Sequence, residues 1–295
     1  MMKYLPYLSA AMWPFSAGLG YVSWSNGAWF FTVLCIIVSA LAIHSMIIAV
    51  HEASHFGISK NRSWNDMFGV AAGTLTFSPM SLYRMLHRYH HGLLGTERDL
   101  EFWPYVNKGV SRRMRTFSAI VELTMASPYF ITMFTRSLLV GEMSDKVRRR
   151  CWAEFIAAVG FAVGLLAVVA INGWWTLYII GYFVPIQIAG LLVSWRRMVE
   201  HMGLCDADRD RMTRLVIPSN SVEQIICHMF FNEPYHAAHH SAMSAEWTSL
   251  PQISEDMLAK NPGLAELHYT SYISAIPDML KHLSDPRIGK HWLDA

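Results

Sequence analysis

The sequence predicts an all-α integral membrane protein with about four transmembrane helices in two hairpins and a cytoplasmic helical cap. Three observations predict it. Hydrophobic residues make up 53% of the 295 and charged residues 16%, which is too apolar for an ordinary soluble enzyme. From Tyr4 to His51, and again from Phe155 to Trp195, there is no Asp, Glu, Lys or Arg. Each run has room for roughly two spans of about 20 residues. Positive charge gathers on one side of the topology these runs imply.

Each run breaks at turn-forming residues, "SWSNGAW" (23–29) in the first and "INGWW" (171–175) in the second, with tryptophans where an interfacial belt would sit. The first hairpin is therefore placed at about 6–23 and 28–50, the second at about 153–171 and 175–195. Prolines and glycines interrupt the opening span and let it tilt or lie partly in the interface. A cleaved signal peptide fits poorly, because only Lys3 supplies a basic leader and a second span follows at once.

The cap comprises residues 51–150 and 196–295, and the whole chain reads as one domain. Within the cap, residues 65–86 and 117–134 are apolar but flanked by charge, so they should dip into or lie on the bilayer without crossing it. Near the C-terminus, residues 267–283 have the pattern of an amphipathic helix. Lys3, Lys60, Arg62, Arg112 to Arg115, "KVRRR" (146–150), Arg196 and Arg197 all fall on the cap side, and the hairpin tips carry no charge. The positive-inside rule then turns both termini and the cap to the cytoplasm. "KVRRR" is read as a topology determinant, with docking of an acidic electron donor as its alternative. A net charge of +2 gives no reason to expect nucleic acid as a partner. Cys35, Cys151, Cys205 and Cys227 contain no CxxC pair, so neither a disulfide framework nor a thiolate cluster is indicated.

The chemistry lies in histidines at the cap. "HEASH" places His51 and His55 four apart, on one face of a continuing helix. "HRYHH" supplies His87, His90 and His91, and "HAAHH" supplies His236, His239 and His240 at the same offsets. His201, in "RRMVEHMGL", follows the cytoplasmic end of the last span. Eight or nine neutral nitrogen ligands exceed the roughly four that satisfy one zinc ion, so two ions fit better. Imidazole suits iron, copper, nickel and zinc alike. Glu52, Glu97, Asp99, Glu200 and Glu233 flank the motifs and are candidates to accept the outer N–H of a ligating ring. His44 lies on the same face as His51, roughly 10 Å deeper along the helix. It is read as an interior histidine, with lining of a substrate path as the alternative.

"HEASH", "LHRYHHGLLGTERDLEF", "RRMVEHMGL" and "NEPYHAAHH", in this order between hydrophobic hairpins, resemble the membrane fatty acid desaturase and hydroxylase superfamily over about residues 28–283. The resemblance implies a di-iron centre that activates dioxygen, with His51, His55, His87, His90, His91, His236, His239 and His240 as ligands and His201 as a ninth. It also implies a lipid desaturase fed by a separate electron donor of ferredoxin, rubredoxin or cytochrome type and its reductase. A hydroxylase or oxygenase of a lipid, carotenoid or alkane is the alternative. Acyl-CoA desaturases place HxxxxH first and an asparagine one turn before the extra histidine. Here HxxxH and Arg197 stand instead, which weakens any transfer of acyl-CoA specificity. A non-catalytic metal transporter or sensor is the remote alternative, since a transporter should place ionisable ligands near mid-membrane, and only His44 lies within a span.

Overall fold

The computed structural model describes residues 4–293, so Lys3 lies outside the described residues. Most of the described residues are helical, and the chain divides into two compact units, Met1–Arg84 with Glu142–Val193, and Met85–Gly141 with Ser194–Ala295.

The first unit opens with α1 (Leu5–Ser25) and α2 (Trp29–Ser54). The chain reverses between them at Asn26 and Gly27, where Gly27 takes a φ of 72°, a conformation that costs glycine little. Hydroxyl pairs join the two helices, Ser9 to Ser45 at 2.8 Å and Ser16 to Ser39 at 2.7 Å. Small residues and interhelical hydrogen bonds are the means by which apolar helices associate without a hydrophobic drive. The outer half of α2 exposes Trp29, Phe30, Val33 and Ile37, whereas its inner half is buried from Ser39 onward at most positions.

α3 (Arg62–Leu75) follows, capped by Asn61, whose side chain accepts the Trp64 N–H. After a break containing Phe77 at positive φ and Pro79, α4 (Met80–Leu93) starts. In the second unit α5 (Arg112–Met125) and α6 (Ser127–Val140) flank a break at Ala126, φ 50°. Each of these four helices has 14 residues, about 21 Å at 1.5 Å per residue. That is too short for a hydrocarbon core of about 30 Å, as expected for the segments at 65–86 and 117–134.

α7 (Asp145–Asn172) ends on Gly173 in the left-handed conformation. It is followed by α8 (Trp175–Tyr178), a π turn over Ile179–Phe183, and α9 (Val184–His201). The π turn has a cause in the sequence: Pro185 has no N–H to offer the Gly181 carbonyl one turn back. Trp13 of α1 donates to that carbonyl instead, at 2.8 Å.

Among the described residues three helices are long and apolar enough to cross a membrane: Trp29–Ser54, Asp145–Asn172 and the continuous run Trp175–His201. α1 is helical over the expected 6–23 but is not among the three. Its serines, glycines and internal Pro14 lower its hydropathy below that of a span. α7 begins earlier than the expected 153, so "KVRRR" forms its first turns rather than a loop. Ile156, Val163 and Ile171 of α7 are exposed, as a lipid-facing surface requires.

The rest of the second unit is short elements. β1 (Leu215–Val216) pairs in parallel with β2 (His268–Tyr269), separated by α10 (Ser221–Met229), α11 (His236–Ser241) and α12 (Leu250–Lys260), and followed by α13 (Tyr272–Leu280). Only residues 272–280 of the expected 267–283 are α-helical, because the chain before Ser271 is drawn into β2. Fully buried Arg214 ties these pieces together. It donates to the Val199 and Met202 carbonyls at 2.8 and 2.9 Å and to Asp278 at 2.8 and 3.0 Å.

Burial works to raise the Asp278 carboxyl, but hydrogen bonds from Arg214 and Lys281 outweigh it and hold the group down at about 2. Asp278→Asn strands the Arg214 charge and should cost about 3 kcal/mol, read as a lowered thermal midpoint in micelles. Because the folded pKa is depressed, this contribution is present above the unfolded value of about 3.9. It disappears as pH falls from there through about 2. An Asp278→Asn protein as stable as wild type at pH 7 would refute the assignment.

Candidate metal centre

Helical periodicity sorts the histidines of the second unit. On α4, His87 and His91 are four residues apart and share a face, while His90 points to the neighbouring one. On α11, His236 and His240 share a face and His239 takes the next. α11 is aimed by its entry turn, where Phe231 and Asn232 both have left-handed φ values, 55° and 53°, and the Asn232 amide donates to the Trp247 carbonyl. α9 contributes His201 as its last residue.

Two nitrogen sets result. In one, His90, His201, His236 and His240 bring their ligand nitrogens within 4.8 Å of one another, and all four residues are buried. The Nε2 of His240 stands 3.1 Å from the Nε2 of both His90 and His236. In the other, His91 Nε2 lies 2.9 Å from His87 Nε2 and 3.0 Å from His239 Nε2. In the first unit, His51 and His55 come together at the end of α2, with ring centroids 5.2 Å apart. His44 is buried two turns earlier in the same helix.

Both sets fit a metal ion. Each imidazole nitrogen carries either one lone pair or one N–H, so three nitrogens meeting edge to edge cannot all be satisfied by hydrogen bonds. Ligands at right angles around an ion, with bonds of about 2.1 Å, stand about 3.0 Å apart, which matches the separations found. His201 makes the same point alone: its Nδ1–H faces the Met212 carbonyl at 3.0 Å, and its buried Nε2 has no hydrogen-bond partner among the described residues.

Two outer nitrogens bond to acids and two more lie close to one, the kind of partner that fixes the tautomer and direction of a ligating ring. His90 Nδ1 lies 2.9 Å from Asp99, His87 Nδ1 3.2 Å from Glu101, His236 Nδ1 3.2 Å from Glu233 and His51 Nδ1 3.2 Å from Glu52. Glu200 differs from its expected place. Held by Arg196 at 3.1 Å and by the Tyr272 hydroxyl at 2.7 Å, it sits 3.6 Å from the Nε2 of His236. It thus borders the nitrogen set instead of backing a ring. Glu97 drops out, because its carboxylate accepts the backbone N–H of Lys108. Glu101 was not anticipated. The available signal was its spacing: in "DLE" two carboxylates two apart serve two different rings.

Burial, followed by the neighbouring rings of His91, His236, His90 and His201, pushes His240 well below the usual imidazole range and keeps its lone pair available. Burial also opposes charge on His90, but Asp99 and Glu101 outweigh it and raise that ring. A cavity of about 310 Å³ lined by Arg209, Asp210, Thr213, Ala237, His240 and Ser241 borders the first set at His240.

Residues 27–273 match the family model described as fatty acid desaturase. Over 111 residues the chain is 24% identical to a protein of Synechocystis sp. named sn-1 acyl-lipid omega-3 desaturase (ferredoxin). The matched stretch covers 37% of this chain and 31% of that relative's length.

Proposed function

The chain belongs to the fatty acid desaturase family, and from that premise we propose that it is an oxygen-dependent di-iron desaturase that introduces a double bond into a lipid acyl chain. The observation that carries this reading is the convergence of buried imidazole nitrogens from α4, α9 and α11 into two sets. His90, His201, His236 and His240 would hold one ion. His87, His91 and His239 would hold the other, and the family motif gives His51 and His55 ligand roles as well.

An iron pair, when bound, supplies with dioxygen an oxidant able to remove hydrogen from an unactivated methylene. The chain's own residues do the rest. Asp99, Glu101 and Glu233 fix the rings so that their inner nitrogens are presented as neutral donors. Burial of the rings keeps water away from them. The clustering of basic residues on the cap side supports a cytoplasmic orientation for the site. No heme segment, flavin fingerprint or cysteine set for an iron–sulfur cluster occurs in the sequence. Electrons would therefore come from a separate carrier, and the ferredoxin in the relative's name makes a ferredoxin-type donor the first to try, before rubredoxin or cytochrome types.

The test is a lipid profile by mass spectrometry of cells expressing the wild type or His239→Ala. A double bond that appears with the wild type and is absent with the variant is expected. A hydroxyl dependent on His239 would move the reading to a hydroxylase. No change dependent on His239 would overturn it.

A further inference from the structure

Arg197 occupies the position where the sequence departs from the acyl-CoA desaturase pattern, and its surroundings give it a definite task. It is buried on α9, one helical turn before His201. Its Nε donates to Glu122 at 3.1 Å and its Nη2 to the Tyr129 hydroxyl at 2.9 Å. Nη1 donates to the Glu101 backbone carbonyl at 3.0 Å and lies 3.5 Å from the Glu101 carboxylate. The guanidinium also covers the Phe102 ring at 4.2 Å, and that ring packs 5.2 Å from His90 and 4.9 Å from His201. The other carboxylate oxygen of Glu101 reaches Nδ1 of His87. Tyr129 reinforces the arrangement, because its hydroxyl also lies 3.3 Å from the Glu101 carbonyl.

A planar fork with five donors can bind three acceptors on separate segments at once, which a lysine ammonium on its flexible stem does poorly. One buried cation here faces two carboxylates. Glu122 alone would neutralise it, and Tyr105 also donates to Glu122 at 2.7 Å. The contact to the backbone of Glu101 is therefore not required by charge balance, and what it does is fix the 101–102 segment.

We propose that Arg197 is a positioning residue of the metal centre, one that holds Glu101 against His87 and so directs the His87 nitrogen into its set. The proposal rests on the two-ion reading of the site given above. Glu101 is the working contact, and Glu122 is the counter-ion that makes the buried arginine tolerable.

The test counts ferrous iron, added alone without oxygen to the full-length metal-free chain in micelles, by elemental analysis over a range of concentrations. Wild type should bind two ions. Arg197→Gln should weaken one of them by about 10–100-fold, the usual effect of losing an outer partner of a ligand, and leave the other unchanged. Arg197→Lys should fall between. Glu101→Gln should reproduce the Arg197→Gln result, and adding Arg197→Gln to it should change nothing further.

Arg197→Gln leaves Glu122 buried without its cation and could unfold the chain. Arg197→Gln with Glu122→Gln removes both charges and keeps the comparison. If that double variant still binds one ion weakly, the positioning role stands. Wild-type binding of both ions by the folded double variant, or by Arg197→Gln itself, would overturn it. A wild type that binds no ferrous iron would instead overturn the reading of the site, and this proposal with it.

Discussion

Replacing His240 with alanine should remove one ion from the protein and abolish product. Its Nε2 has the Nε2 atoms of His90 and His236 on either side at 3.1 Å, so the substitution takes away the central nitrogen of a four-histidine set. Outer partners of ligands typically contribute about 10–100-fold to metal affinity, and loss of a ligand should exceed about 100-fold. Asp99→Asn gives the calibration, because it touches only the outer nitrogen of His90 and should therefore stay within that 10–100-fold range. His44→Ala is the control, since His44 sits two turns from His51 in α2 and should leave iron content at wild type. Elemental analysis of anaerobically purified protein and lipid mass spectrometry read the two consequences. Full iron content in His240→Ala would remove this histidine from the ligand set.

The site was legible in the sequence because ligand spacing is a local property. Offsets of three and four put imidazoles on known faces of a helix whatever the tertiary fold, so "HRYHH" and "HAAHH" could be read as clusters, and α4 and α11 place them so. Asp99 and Glu233 were legible as acids close in sequence to those clusters. Glu101 and Arg197 were harder. Glu101 reaches His87 from a segment whose carbonyl Arg197, 96 residues away, holds, and a pairing at that distance leaves no mark on periodicity. Glu97 has the same chemistry and proximity, yet turns to a backbone N–H.

The hairpins were legible from the lengths of the charge-free runs and from Asn-Gly punctuation. The break at Ala126 was not, since alanine carries no turn preference that would announce its positive φ. The π turn was recoverable in principle from Pro185, but whether a proline kinks, ends or widens a helix depends on what else can satisfy the freed carbonyl. Here that is Trp13, 168 positions away.

Glu154→Ala should destabilise the first unit markedly. α4, the helix that carries His87, His90 and His91, begins with backbone N–H groups that have no partner within the helix. Glu154 of α7 accepts the Ser81 N–H at 2.7 Å and the Ser81 hydroxyl at 2.6 Å, acting as a cap supplied by another helix. A carboxylate there also faces the positive end of the helix dipole. Arg150 donates to the same carboxylate at 3.0 Å and reaches Asp66 at 3.3 Å, and Asp66 in turn pairs with Arg84 of α4 at 2.6 Å.

Alanine at 154 leaves two buried donors of Ser81 unmade, at about 1–3 kcal/mol each, so a loss of about 3 kcal/mol is expected. Arg150 is half exposed and can turn to water, so it adds little. Glu154→Gln retains one acceptor oxygen and should lose about half as much. Ser81→Ala removes only the hydroxyl, at about 1 kcal/mol, and in combination with Glu154→Ala should add almost nothing, because the partner is already gone. Thermal unfolding of the wild type and these four variants in one micelle system decides the matter. Strictly additive losses would mean that Glu154 stabilises α7 rather than the start of α4.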